Sequence, residues 1–277
     1  MKLSVVPSSS LGDAVIMLIA SHHLEQAGFD VTTITKYRFG KWFSGKILDE
    51  IGSPDAIFLQ HGNDQRSRDI KDAKIPVYTF YGSYRPEKHG SWQPGYDFVS
   101  DLNQTMVANI QKALRVLFSI DASDQNGFFP PDNLQHRKYP KRVVIHTTSG
   151  DPARNWPLVK FEKVASWLIK QGFEPVFLPK FQSIDELISY IYESGFFLGD
   201  DSGPGHIASC LQIPNLVIGR EERHMRHWRP GWKNSEVILP PRWLPNFKGF
   251  RLRETCWKNF IKPKKVIKLL ESNVLKN

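Results

Sequence analysis

The sequence predicts an α/β protein made of two doubly wound parallel domains. Three observations carry that prediction. Short apolar runs alternate with helical stretches in both halves of the chain. Turns rich in Pro, Gly, Ser and Asp separate them. One stretch, Asp121–Lys141, carries Pro, Gly, Asn and Asp with few apolar residues in succession, and it divides the halves. A chain of 277 residues buries a sizeable core and suffices for two modest domains.

The first half opens with an apolar strand at Leu3–Val6. A Ser- and Gly-containing turn follows, and a helix from Ala14 to Gln26 is stopped by Gly28. Val31–Thr35 is β-branched and reads as a strand, as do Ala56–Gln60 and Val77–Phe80. Met106, Ile110, Ala113 and Leu117 keep helical spacing, which predicts a helix over Leu102–Phe118. The second half repeats the alternation. Arg142–His146 is a strand, and Val159–Gln171 is a helix with Phe161, Val164, Ala165 and Leu168 on one face. Pro175–Leu178 is a strand. Ser183-Ile-Asp-Glu186 is a capping box that opens a helix. Phe196–Gly199 and Asn215–Ile218 are strands, and Lys264–Leu275 is a basic final helix. The expected division is a first domain over 1–125, a linker over 126–141, a second domain over 142–262 and the basic helix over 263–277. That helix either packs back on the first domain or stands solvated. Two such domains facing each other leave a cleft at the carboxyl ends of their strands, where ligands bind.

Composition narrows the function. No run reaches the roughly 18 apolar residues needed to span a bilayer, and the first residues read as a strand rather than a secretory leader. Cys210 and Cys256 fit no metal spacing, which points to a reduced, cytoplasmic setting. The net charge is +9, and the last 31 residues hold nine basic side chains against two acidic ones. Such a tail suits anionic lipid or a phosphorylated glycan, or is simply a solvated face. No nucleic-acid-binding signature accompanies it. No G-x-G-x-x-G follows the first strand, so a nicotinamide dehydrogenase is not indicated.

The most telling segment is Phe196-Phe-Leu-Gly-Asp-Asp-Ser-Gly-Pro-Gly-His206. An apolar strand ends in Asp200 and Asp201. A turn of small residues follows, then a helix opening near Pro204. Backbone N–H groups and the positive end of that helix lie beside a His and a carboxylate, a place to hold phosphate. The same pattern also serves as a plain strand-to-helix turn.

Four segments agree in order and spacing: Ser8-Ser-Ser-Leu-Gly-Asp13, His146-Thr-Thr-Ser-Gly-Asp-Pro-Ala-Arg-Asn-Trp-Pro157, Asp201-Ser-Gly-Pro-Gly-His206, and Gly219 followed by Trp228-Arg-Pro230. Together they resemble glycosyltransferase family nine, the heptosyltransferase-like enzymes of lipopolysaccharide core synthesis. The resemblance covers the first 30 residues and most of 142–232. It implies the GT-B fold, two Rossmann-like domains across a cleft, and inverting transfer from a nucleotide-sugar donor without metal or other cofactor. By this resemblance Asp13 is the catalytic base, and Gly12 lets the backbone approach a ligand. Thr147, Thr148, Arg154, Asp201, Ser202, Gly203 and His206 are the donor-binding set. An inverting transfer needs a proton acceptor for the attacking hydroxyl and fixed positive potential for the leaving diphosphate. Asp13 also suits the dipole of the helix it opens, and Trp156 reads as packing. Asp200 is assigned no role.

The implied partners are a nucleotide-sugar donor, a glycan or lipid-linked acceptor and anionic inner-leaflet lipid, with no nucleic acid. The implied location is cytoplasmic and peripheral to the inner membrane. The chain departs from the resemblance in three places, one of them a compact first domain without acceptor loops of the usual length. Pro179-Lys-Phe-Gln182 lacks the insert that carries a ribose-binding acid. Arg220-Glu-Glu-Arg-His-Met-Arg-His227 is more basic than the usual short turn, and suits a diphosphate or an anionic acceptor. A nucleotide-sugar hydrolase or epimerase on the same fold, and a non-catalytic glycan-binding protein, are the alternatives.

Overall fold

The computed structural model describes residues 1–233, 235–247 and 250–273. They form two compact units that divide after Pro131.

The first unit runs β1 (Lys2–Val6), α1 (Leu11–Gln26), β2 (Asp30–Ile34), β3 (Lys46–Leu48), β4 (Ala56–His61), α2 (Gln65–Lys71), β5 (Val77–Tyr81), α3 (Pro86–His89), β6 (Asp97–Val99) and α4 (Met106–Phe118). Its strands are all parallel, in the order β3-β2-β1-β4-β5-β6. The order reverses between β1 and β4, and α/β sheets bind ligands at the carboxyl ends of strands at such a reversal. Helix α1 is apolar on nearly every side from Ala14 to Ala20, so it is buried almost all round: twelve of its sixteen residues are buried. Ser10 caps it by accepting the Asp13 N–H. Gly28, just past its end, has φ +90°, which a residue with a Cβ rarely adopts.

Helix α4 begins at Met106, later than the periodicity of 102–118 predicts. The buried Asn109 side chain explains the difference. It accepts the Asp101 N–H and donates to the carbonyls of Asp101, Gln104 and Thr105, which holds 101–105 in a turn.

The second unit runs β7 (Tyr139–His146), α5 (Leu158–Lys170), β8 (Glu174–Phe177), α6 (Ile184–Tyr192), β9 (Ser194–Asp200), α7 (Gly203–Cys210), β10 (Asn215–Ile218), α8 (Glu222–Trp228), β11 (Ser235–Ile238), α9 (Leu252–Thr255), α10 (Trp257–Phe260) and α11 (Pro263–Asn273). Its parallel order is β11-β10-β9-β7-β8, with the reversal between β7 and β9. The capping box at α6 forms: Ser183 accepts the Glu186 N–H, and the Glu186 carboxylate reaches back to the Gln182 N–H. Val266 and Leu270 of α11 lie in the core of this unit with Trp257, Ile261 and the inner face of α5. The helix thus spends its apolar face within its own unit, while Lys264, Lys265 and Lys268 stay exposed.

The stretch between the units is shorter than 126–141. Asn126 is buried and donates to the Val15 carbonyl, and Phe128 bridges to Phe43 and packs on Phe39 and Trp42. Both tie 126–128 to the first unit. At the other end Tyr139 already pairs with Ser194 as part of β7.

Candidate functional site

In the second unit the candidate residues gather at the reversal of strand order. His146 ends β7 directly beside Gly199 of β9. The strands approach so closely there that a Cβ on Gly199 would lie 2.8 Å from the His146 carbonyl oxygen, so only glycine fits. Beyond this pair the two chains diverge into the segments 147–156 and 201–206.

Two consecutive acids at the end of β9 grip the first of these segments. Asp200 is fully buried, and its Oδ1 accepts the Trp156 N–H at 3.0 Å. Its Oδ2 has no hydrogen-bond partner. Burial pushes its carboxyl up to about 8, against the pull of the Trp156 N–H and the Lys258 charge. Asp201, pointing the other way, accepts from Arg154 Nη1 at 3.1 Å and from His224 Nε2 at 2.9 Å on the same oxygen. Burial opposes its charge. The His224 hydrogen bond and the charges of His224, His206 and Arg154 outweigh that and hold the carboxyl below its ordinary value. Arg154 ends a 3₁₀ turn, Pro152–Arg154, capped by Asp151. The Asp151 carboxylate lies 3.8 Å from the Arg154 guanidinium and 4.0 Å from that of Arg220. Two arginines and a histidine therefore meet two carboxylates here. The His224 ring also stacks on Trp228.

His146 is the second hub. The Ser202 hydroxyl donates to the Asp200 carbonyl at 3.0 Å, so it accepts from His146 Nδ1, also at 3.0 Å. The Nε2 of the ring then accepts from the Thr148 hydroxyl at 3.3 Å. That pattern needs the neutral ring with its proton on Nδ1. Burial pushes the ring down to about 4, which keeps it neutral near pH 7. Ser202 is the N-cap of α7, yet its side chain makes no capping hydrogen bond. In the first turn of α7 Pro204 has no N–H and the Gly205 N–H goes to the Ser202 carbonyl at 3.1 Å, so it is the Gly203 N–H that can serve an anion. His206, buried in the next turn, acts on the Asp201 charge. Thr147 is half-buried beyond His146. Trp156 is in the core, as the sequence suggests, with its Nε1 donating to the Ile261 carbonyl.

Asp13 and Gly12 lie in the first unit, at the start of α1 and beside its own strand-order reversal. Asp13 is buried at 9% exposure. Its Oδ2 accepts from the Ser10 hydroxyl at 2.7 Å and its Oδ1 from Gln60 Nε2 at 2.6 Å. Gln60, near the end of β4, is itself fixed by the Ser8 N–H at 3.1 Å. Tyr37 lies near enough that burial and the Asp13 charge together raise its phenol.

Arg154, Asp201, Ser202, Gly203, His206, Thr147 and Thr148 thus share one strand-end region, and Asp13 and Gly12 share another. Sequence reasoning missed His146, His224, Asp151, Arg220 and Gln60, and gave Asp200 no role. His146 and Asp151 stood inside a quoted motif, and Arg220 and His224 inside the noted basic cluster. Gln60 left only the trace of a polar residue closing an apolar strand.

Known proteins share the fold. No family model matches the chain. It is 22% identical over 228 residues to lipopolysaccharide heptosyltransferase 3 of Escherichia coli, covering 68% of this chain and 62% of the relative's length. Among solved structures it is similar to Escherichia coli heptosyltransferase WaaC with ADP, at TM-score 0.70 and 13% identity over 99% of this chain and all of that one. It is also similar to Escherichia coli ADP-heptose lipopolysaccharide heptosyltransferase II, at TM-score 0.67 and 16% identity, covering 100% of this chain and 99% of that one. A family 9 glycosyltransferase from Veillonella parvula gives TM-score 0.65 and 13% identity, covering 100% of this chain and 97% of that one. In sequence the chain is similar to a heptosyltransferase, and its two parallel sheets are of the GT-B type.

Proposed function

We propose that the chain is an inverting, metal-independent glycosyltransferase. It moves a sugar, heptose or another, from a nucleotide-diphosphate donor to a lipopolysaccharide-type or other cell-surface glycan acceptor. The observation that carries this reading is the convergence of Arg154, the Thr147-Thr148 segment and the N-terminus of α7 at the strand reversal of the second unit. Its support is the homology to heptosyltransferases, of which one solved structure holds ADP.

In this reading the acceptor hydroxyl attacks the anomeric carbon, and Asp13 takes its proton. Gln60 and Ser10 fix the carboxylate in place. The bond to the diphosphate breaks, and the electrons leave with the nucleoside diphosphate. Arg154, Arg220 and the Gly203 N–H at the start of α7 meet that charge. Arg154 starts paired to Asp201, so donor binding draws its guanidinium away from a carboxylate or shares it with one. The reading places the chain in the cytoplasm, held to the anionic inner leaflet by its basic C-terminal residues.

The test is a thermal-shift screen of nucleoside diphosphates and nucleotide sugars, followed by product analysis with and without acceptor. A specific donor raises the melting temperature by mass action. A screen in which no nucleotide raises it would remove the reading. Rapid release of free sugar without acceptor would replace transfer with hydrolysis.

A further inference from the structure

Between β11 and α9 the chain carries aromatic side chains that the core does not take up. Trp243 is 72% exposed, Phe247 63% and Phe250 46%. Trp243 is the most exposed of the large apolar side chains among the described residues. The segment is nevertheless well anchored. Leu244 is buried, and the Arg253 guanidinium donates to the carbonyls of Arg242 and Leu244. Phe247 and Phe250 face each other across an antiparallel bridge with ring centroids 5.7 Å apart. Trp243 meets the edge of Phe260 at the same separation. Among the described residues these contacts hold large rings out in water, a cost that a monomer without a partner for them does not recover. Cations accompany them: Arg242 and Arg251 are exposed in the same segment, and Lys262, Lys264, Lys265 and Lys268 are exposed just beyond it.

We propose that this segment is an interfacial membrane anchor. Trp243, Phe247 and Phe250 enter the headgroup region of an anionic bilayer, and the neighbouring arginines and lysines meet the lipid phosphates. Tryptophan favours that depth because its ring is apolar and its N–H polar. An apolar insertion and a basic patch together give the two signals that stable but reversible anchoring takes. A second copy of the chain suits the patch poorly. A two-fold interface uses the same patch on both copies and so brings two basic surfaces together. Single-stranded nucleic acid also suits it poorly. Bases stack on successive ring faces, whereas Trp243 and Phe260 are edge to face at 87° and Phe247 and Phe250 are tilted by 36°. The inference extends the lipid association in the proposed function. Its test reads partitioning rather than transfer, so either can fail while the other stands.

The experiment sediments the full chain with vesicles of phosphatidylcholine, alone or mixed with phosphatidylglycerol. The variant Trp243→Ser/Phe247→Ser/Phe250→Ser removes only exposed rings, and its melting temperature reports that it is folded. The parent chain is expected on the mixed vesicles, with the triple variant weaker by about tenfold or more. Brominated lipid should quench the parent chain's fluorescence, and Trp243→Phe should lose that quenching. Equal partitioning of parent and triple variant would overturn the anchor, as would binding lost only in Lys264→Gln/Lys268→Gln. A dimer that the triple variant dissociates would assign the patch to self-association instead. Oligonucleotide binding lost in the triple variant, with no vesicle binding by the parent, would assign it to nucleic acid.

Discussion

Replacing Asp200 with Asn should stabilise the protein near neutral pH and leave it unchanged in acid. Asp200 is fully buried, and its carboxyl is raised from 3.8 to about 8. Below 3.8 the acid carries its proton in both the folded and unfolded chain, and its stabilising contribution is fully present. As pH rises through the window from 3.8 to about 8, the unfolded chain gives up the proton while the folded chain keeps it. Stability falls throughout that window. At pH 7 the interval above 3.8 is about three units, each worth about 1.36 kcal/mol, so the native state is destabilised by about 4 kcal/mol. Asn carries no such proton linkage, and its carbonyl can still accept the Trp156 N–H. Oδ2 has no hydrogen-bond partner, so the substitution there breaks no existing bond. The assay is urea denaturation of parent and Asp200→Asn at pH 4, 5.5 and 7, values chosen to span the window. The stability difference should grow with pH in favour of Asn. Parallel curves, or a variant that is weaker at pH 7 by as much as at pH 4, would refute the reasoning.

His146 shifts the other way. Its ring is lowered to about 4, so its stability contribution is complete above 6.5 and is lost as pH falls through the folded value. His146→Gln should remove part of the acid sensitivity between those limits in the same titration, and an unaltered acid limb would count against it. Asp13→Asn should keep nucleotide binding while turnover falls by roughly 10²–10⁴-fold, and near-normal turnover would take Asp13 out of the mechanism. Arg154→Ala should weaken nucleoside diphosphate binding by about 1.5–3 kcal/mol, with the exposed Lys170→Ala as a control that binds as the parent does. Calorimetry showing the reverse order would displace the site. Turnover should persist in excess EDTA, and its loss with recovery on adding magnesium or manganese would exclude the metal-free reading.

The central strands were legible because burial on both faces forces an apolar run. Ala56–His61, Ser194–Asp200 and Asn215–Ile218 are buried along their whole length, and each was found to within two residues. The strands missed, Lys46–Leu48, Asp97–Val99 and Ser235–Ile238, are all at sheet edges. With three or four residues and mixed exposure they show no alternation to read. Helix α2 was invisible for a similar reason, since Ser67 and Ile70 alone are buried in a sequence of charged and amide residues. At the candidate site most residues of the local motifs were found, His146 and Asp151 excepted, and those supplied by a distant strand or helix were not. Gln60 reaches Asp13 across 47 positions and His224 reaches Asp201 across 23. Only strand pairing or helix packing brings such residues together.

The near-total burial of α1 bears on how such a protein diversifies. Asp13 stands on a helix in which almost every neighbouring position is core, and a change of one methylene there is felt in stability. The helix that carries the candidate base is therefore a poor place for selection to explore. Novelty in the first unit has room only in the strand-end loops that surround it, those bearing Tyr37 and following Gln60. A library aimed at a new acceptor would gain most by varying those loops and leaving α1 untouched.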